Sequence, residues 1–419
     1  MEFCEFTLVY LLPFSLSEGE RQEPGILAHN QLTCGKMAKK RQLEIPAPQL
    51  FHDVGAQFAA NGFEDARPSD VANVLWSFAM LNEHHPTMMQ RAAAHLLKVS
   101  ELDFTPKDLA LIAWSFAVQE QSSHDLFLFL ASVSVNFGFA KFSPLLLSNF
   151  IWAFGVLEVF HAPMCNFLMA HLLEADLSQF DGNNLSDVCW SLGTLGFWNH
   201  LLLNHLLEEC KRRSQTDFTH RNTCNILWYF ACADCLGSLG VHEYFNLLQN
   251  IPADQVCKDL DQVRQYNDCI LAWKDQVGGE LPLILREISD APWFQDVFKA
   301  DRTESEGAKR GSPFFKSVAL QLENLKCTTK NMCVLPDGLT VDLLVVTSTG
   351  KLIGLELSEA FQYLDDKQTP KGHTRLQTAL LKKSLAGTPL ITLSSEEWTA
   401  TMGDQAQSDL LSRLLTKTH

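Results

Sequence analysis

Trp76, Trp114, Trp152, Trp190 and Trp228 recur every 38 residues without a slip. The rarest large side chain does not fall on such a grid by chance. A fixed period of this length marks stacked copies of one supersecondary unit, each burying its apolar face against its neighbours. The architecture of the N-terminal half is therefore constrained before any motif is sought.

The copies agree beyond the tryptophan. They read VANVLWSFAML (71–81), LALIAWSFAVQ (109–119), LSNFIWAFGVL (147–157), LSDVCWSLGTL (185–195) and TCNILWYFACA (223–233). Ten residues before the tryptophan, four copies carry Phe104, Phe142, Phe180 and Phe218, followed by Thr105, Ser143, Asp181 and Thr219. Those oxygen-bearing side chains can accept from the free amides of a helix start. In two copies Pro106 and Pro144 come next, where a missing N–H costs nothing. The remainder of each period, such as 124–138 or 162–175, reads as a second apolar helix. Each unit is then a helical hairpin, and the array is an α-solenoid. The tryptophans, set among Leu, Ile, Val and Phe at helical spacing, are expected in the inter-repeat core.

A polar stripe accompanies them. Positions six before, three before and one after the tryptophan fall within about 60° of each other on a helix. They hold Asp70, Asn73 and Ser77; Asp108, Leu111 and Ser115; Leu146, Asn149 and Ala153; Asn184, Asp187 and Ser191; Asn222, Asn225 and Tyr229. Helical repeats that read RNA present two or three such side chains to each base edge. The alternative is that the asparagines bond backbone in the adjoining turn.

The solenoid is expected over 46–255. Residues 46–60 resemble the second helix of a preceding unit, and Gly62-Phe63 stands where Gly138-Phe139 stands two periods later. Residues 256–311 read as an irregular helical cap around Trp273, ending in a polar linker at 301–311. Ser312-Pro313 opens a further helix. The pattern then changes: two strands over 339–347 and 351–358, a helix over 374–386, and a short strand at 389–393 make a small α/β domain over 312–419. Residues 1–45 read as an extension, disordered or targeting. Its apolar stretch 6–16 follows Glu2 and Glu5 rather than basic residues, a poor signal peptide, and Met37 before Ala-Lys-Lys-Arg reads as a more natural start.

Charge bears on the choice of partner. The net charge is −16. Residues 61–260 hold 10 basic against 21 acidic side chains, and 261–419 hold 18 against 21. A protein holding nucleic acid chiefly through phosphates should show a basic stripe, and none is visible. The twelve cysteines are scattered except for Cys232-Ala-Asp-Cys235. One such pair is weak zinc evidence, and packing of small thiols in a reduced, intracellular protein is the reading adopted. No apolar run reaches the roughly 18 residues of a membrane span. Nucleotide loops, HExxH and GxSxG are all missing from the sequence.

The 38-residue tryptophan-centred hairpin resembles the octatricopeptide repeat of organellar RNA-binding proteins, and FAST kinase-like proteins carry a related solenoid. The C-terminal segment resembles the RAP domain that ends proteins of both groups. The resemblance rests on Val341-Asp342, Gly354-Leu355-Glu356, Gly372-His373-Thr374-Arg375-Leu376 with Leu380-Leu381, and Glu397-Trp398. It implies single-stranded RNA as the partner, with other organellar RNA-processing proteins, in a mitochondrion or chloroplast; neither membrane nor DNA is implied. It also implies a restriction-endonuclease-like fold, in which Asp342 and Glu356 take the two acid positions on adjacent strands. The position of the lysine in that pattern holds Ser358.

The candidate residues follow. Asp342 and Glu356 are candidates for metal-dependent RNA cleavage; Mg2+ is expected only in that case, and otherwise no cofactor or metal. Asp70, Asn73, Asp108, Asn149, Asn184, Asn222 and Asn225 are candidates for base reading. His373 and Arg375, at a helix start, are candidates for a phosphate contact. A protein-binding solenoid, favoured by the acidic repeats, is the third function class.

Overall fold

The computed structural model describes residues 48–214, 217–237, 240–247, 260–364, 369–401 and 403–416. The extension read as 1–45 lies outside them. The described chain is mostly helical and ends in a small mixed sheet. It divides into two compact units, Met1–Phe218 and Thr219–His419.

The first unit is a two-layer array. One layer holds the tryptophan helices α2 (Pro68–Leu81), α4 (Pro106–Val118), α6 (Pro144–Leu157) and α8 (Gly182–Thr194), each packed on the next. The other holds α1 (Pro48–Asn61), α3 (Pro86–Leu96), α5 (His124–Phe137), α7 (Ala162–Glu174) and α9 (His200–Arg212), again in succession. The expected hairpins are present, including the half repeat at the front.

The local chemistry repeats as faithfully as the sequence. Short 3-10 turns at Glu101–Asp103, Phe139–Lys141 and Leu177–Gln179 lie 38 residues apart and lead into Phe104, Phe142 and Phe180, all buried. The next residue caps the helix as expected: Thr105, Ser143 and Asp181 accept from the amides of Asp108, Leu146 and Asn184. Six residues after each tryptophan the backbone turns left-handed, at Asn82 (φ 56°), Glu120 (53°), Glu158 (58°) and Gly196 (65°). The amide after each closes the turn on a carbonyl inside the helix: Glu83 on Phe78, Gln121 on Phe116, Val159 on Phe154 and Phe197 on Leu192. This is the Schellman closure, here with glycine in only one of the four copies.

The core sits elsewhere than the tryptophans lead one to expect. Trp114 is buried, but Trp76, Trp152 and Trp190 are only half-buried. The fully enclosed residue lies two positions on: Phe78, Phe116, Phe154 and Leu192, each at most 1% exposed. On a helix those two positions are about 200° apart, so they face different neighbours. Trp76, Trp152 and Trp190 flank the interface instead, whereas Trp114, and Trp228 in the second unit, are buried as expected. A Cβ on Gly155 would lie 3.0 Å from the Trp190 ring, so the indole lies against the preceding tryptophan helix where that helix has no side chain. The same position holds Ala79, Ala117 and Gly193 in the other copies of this unit.

The second unit begins with the fifth tryptophan helix, α10 (His220–Cys232), capped by Thr219. After α11 (Val241–Leu247), α10 packs on α12 (Leu260–Gln276) and on α16 (Gly372–Ser384). Between these come α13 (Leu283–Ser289), α14 (Pro292–Gly311) and α15 (Pro313–Asn324). The sequence reading closed the solenoid near 255 and opened the α/β domain at 312. The second unit spans both, because α16 of the α/β part packs on α10 and α12.

The linker expected over 301–311 is helical. It forms the C-terminal half of α14, held by Arg302–Glu306 and Arg310–Glu306 pairs four residues apart and by Arg264 on Asp301. Such spacing supports a polar helix. Ser312 then caps α15 through the amide of Phe315 at 3.1 Å.

The sheet has the order β1-β2-β3-β4, from β1 (Thr328–Val334), β2 (Thr340–Val346), β3 (Leu352–Ser358) and β4 (Leu390–Ser394). The first three are antiparallel neighbours, and β4 joins parallel to β3 after the α16 crossover. Leu343, Val345, Ile353, Leu355, Leu357, Ile391 and Leu393 meet Phe314, Phe315, Val318 and Leu322 of α15 in one core. The core also takes Trp398 from α17 (Ser395–Ala400) and Leu410, Leu411 and Leu415 from α18 (Asp404–Thr416).

Candidate functional site

The polar stripe proves to be internal. At six before the tryptophan the side chains close capping boxes in four copies, all but Leu146. Asp108 accepts from the Thr105 amide and hydroxyl at 2.9 and 2.7 Å, Asn222 from those of Thr219 at 2.9 and 2.7 Å, Asn184 from the Asp181 amide at 3.4 Å, and Asp70 from the Arg67 amide at 3.3 Å. Asn184 also donates to Ser148 of the preceding tryptophan helix at 3.2 Å. At three before, Asn149, Asp187 and Asn225 are buried and Asn73 half-buried, and Asn225 accepts from Gln265 at 2.9 Å. At one after, Ser77, Ser115 and Ser191 bond the carbonyls one turn back. Of the two readings of the stripe, these contacts favour the structural one: its side chains help to form the tryptophan-helix layer. Asp and Asn both offer a side-chain oxygen that can accept from an amide there, and Leu146, in the remaining copy, closes no box.

His373 and Arg375 stand in the first turn of α16, as expected, and both are exposed. The His373 ring nevertheless has a protein partner, for its Nδ1 meets Oδ2 of Asp268 on α12. Asp268 is 1% exposed and also accepts from Trp228 Nε1 at 3.2 Å and Gln377 Nε2 at 2.6 Å. One buried carboxylate thus joins α10, α12 and α16. Loss of water where the ring meets Asp268 works against the charged imidazole, but the Asp268 carboxylate outweighs it and raises the His373 pKa. Lys383, farther along α16, reaches Asp275 at 2.7 Å and Asp234 at 3.4 Å.

Asp342 and Glu356 come together on β2 and β3 where the sheet is irregular. Pairing of β1 with β2 keeps one register from Asn331↔Leu343 to Cys333↔Val341 but skips Met332 and Asp342 opposite it; the Met332 backbone is left-handed at φ 47°. Pairing of β2 with β3 runs from Val346↔Leu352 to Leu343↔Leu355. Beyond it the carboxylates take over the amides: Leu357 donates to Asp342 Oδ2 at 2.7 Å, and Asp342 donates to Glu356 Oε1 at 2.9 Å.

A third residue, missed by sequence reasoning, completes the cluster. Lys309 of α14 places its Nζ 2.5 Å from Asp342 Oδ2 and 3.9 Å from Glu356 Oε2. Ser358 is buried at 4%, and the ammonium near the two acids comes from a preceding helix. Reading 301–311 as a linker concealed it. The i,i+4 charges of that stretch were the signal that could have placed it on a helix.

The electrostatics are those of a crowded acid pair. Burial, then the charge of Asp342, push the Glu356 carboxyl up to about 8, against the opposing pull of Lys309. The donors are hard oxygens suited to Mg2+, and a cation bound there would activate water or stabilise charge on a phosphoryl oxygen. Among the described residues no group of three or more His, Cys, Asp or Glu is arranged to hold a metal. Cys232 and Cys235 are buried thiols outside any disulfide. No described helix is long and apolar enough to cross a membrane.

No known family model matches the chain, and no curated protein matches its sequence.

Proposed function

We propose that this protein binds single-stranded RNA, as an octatricopeptide-repeat or FAST kinase-like protein with a C-terminal RAP domain, in the processing, stability or translation of transcripts in a mitochondrion or chloroplast. What supports the reading is one conjunction. Tryptophan-centred hairpins of fixed period precede a four-stranded mixed sheet whose β2 and β3 bring Asp342 and Glu356 side by side. The helix–three-strand–helix–strand order of α15 to β4 fits the restriction-endonuclease-like core implied by the resemblance. The capping stripe is occupied by the fold, so recognition in this reading falls to exposed groups such as Arg375 and the open side of His373. With a net charge of −16, contacts to bases must outweigh those to phosphates.

A second reading, endoribonuclease, is favoured by Lys309. The cluster of Asp342, Glu356 and Lys309 combines two acids that can hold Mg2+ with a cation able to stabilise developing phosphate charge. Retention of a random single-stranded RNA pool by the full chain, at two salt concentrations with magnesium, tests both readings. Retained and intact RNA supports binding alone. Cut RNA, with cutting lost in Asp342→Ala, supports the nuclease. No retention even at low salt overturns both and leaves the protein-binding scaffold that the acidic repeats favour.

A further inference from the structure

Packing in the first unit buries most of α8 and leaves three of its residues partly open: Asn183, Trp190 and Thr194. On α6 the same places hold Leu145, Trp152 and Val156, all half-buried, and between Leu147 and Gly155 every residue except Trp152 is buried. Seven before the tryptophan, the tryptophan itself and four after it lie within about 40° of one another on a helix. The fully enclosed Phe154 and Leu192, two residues on, point to the opposite side and fill the core. The indole is thus the middle of the side that the tryptophan layer turns to solvent. Trp76 is half-buried in the same place on α2, whereas Trp114 on α4 is closed over at 6% exposure. Trp190 rests against α6 at Gly155, so its ring is positioned before any ligand arrives. No acid stands at these three places in the four helices, and Lys107 is the charged residue among them, although residues 61–260 hold 21 acidic side chains against 10 basic. A polyanion is therefore repelled less along this line than over the rest of the array.

We propose that Trp76, Trp152 and Trp190 form a stacking row on which bases of single-stranded RNA lie, one base to a repeat, on the open side of the tryptophan layer. The inference rests on the RNA-binding reading and names the groups that take the bases, which a chain of net charge −16 has to hold by more than phosphate contacts. An indole half out of water offers a flat π surface, and every base has such a face to lay on it. Packed helices lie about 8–10 Å apart, and helical-repeat readers take one base per repeat. The even spacing favours a ligand that itself repeats a flat group, as a nucleic acid strand does and a protein helix does not. Stacking tolerates any base, so the row supplies affinity and leaves selection to polar groups elsewhere.

The test is a binding titration of a random single-stranded RNA pool against the full chain, with circular dichroism melts confirming that each variant folds. Trp152→Leu and Trp190→Leu should each bind the pool about fivefold or more weakly than the wild type, as loss of one stacked base requires. Trp152→Phe and Trp190→Phe, which keep a ring, should bind nearly as well as the wild type. Trp114→Leu, which removes an indole already closed over, should bind as the wild type does. With 5-bromouridine in the pool, photocrosslinks in the wild type should fall on peptides of α2, α6 or α8, a readout that needs no variant. Leucine variants that bind like the wild type, or phenylalanine variants that bind as weakly as the leucine ones, overturn the inference and leave the RNA-binding reading standing. Crosslinks confined to other segments do the same. If the wild type retains no RNA even at low salt, the inference and the RNA-binding reading fail together, and the row is left to a protein partner.

Discussion

Asp108 closes the helix it stands in, its carboxylate accepting from both the amide and the hydroxyl of Thr105. A residue that varies between copies as a recognition position should is thereby assigned to the fold. Asp108→Ala should lower stability by about 1 kcal/mol, the usual cost of a lost cap. It should leave the sequence preference of bound RNA unchanged. Chemical denaturation of the variant, with RNA binding measured well below its melting temperature, checks both halves.

The two aromatic positions of each repeat should differ in energetic weight. Phe154 is fully buried, whereas Trp152 is half-buried. Phe154→Ala should cost about 3–5 kcal/mol, as for large core aromatics. Trp152→Ala should cost roughly 2 kcal/mol, in proportion to the apolar area it removes from water. Denaturant unfolding of the pair measures the order directly, and a costlier tryptophan would return it to the centre of the core.

Glu158 holds a left-handed backbone at φ 58°, a conformation that L residues with a side chain adopt at a cost. Gly196 occupies the equivalent place one period later. Glu158→Gly should therefore raise stability by about 1 kcal/mol, even though nothing is added to the fold. The melting temperature of the single variant reads the sign.

Stability should fall on both sides of a mildly acidic optimum. Burial lowers the His220 pKa from 6.5 to about 4, so the folded state resists the proton and loses stability as pH falls below 6.5. Glu356 is raised from 4.5 to about 8, so its contribution is complete below 4.5 and is lost as pH climbs to about 8. The raised His373 acts in the same direction as Glu356, losing its contribution as pH rises above 6.5. Melting temperatures across pH 4–9 should show the dome. Glu356→Gln, which mimics the protonated acid, should flatten its alkaline limb.

The sequence carried the repeats, the caps and most of the strands because each depends on local chemistry. Thr105, Ser143, Asp181 and Thr219 cap where they are read, and 339–347 and 351–358 pair as a hairpin. What escaped was set by tertiary partners. β1 was missed because Lys330 and Asn331 break its alternation and its pairing partner supplies the missing order. Trp190 looked like core, yet its place is fixed by Gly155 on another helix. Of the carboxylate site, the two acids were legible from their strands. Lys309 was not, since it lies 33 residues before Asp342 and meets it only in the folded chain.

The most direct test of the central claim is the dissociation constant of the full chain for an RNA recovered from the retained pool, set against its shuffled sequence, at two salt concentrations. Selective binding to single-stranded RNA predicts at least a tenfold preference for the recovered sequence. It also predicts that salt weakens both RNAs alike and leaves their ratio intact. Equal affinity for the two, collapsing together as salt rises, would contradict it.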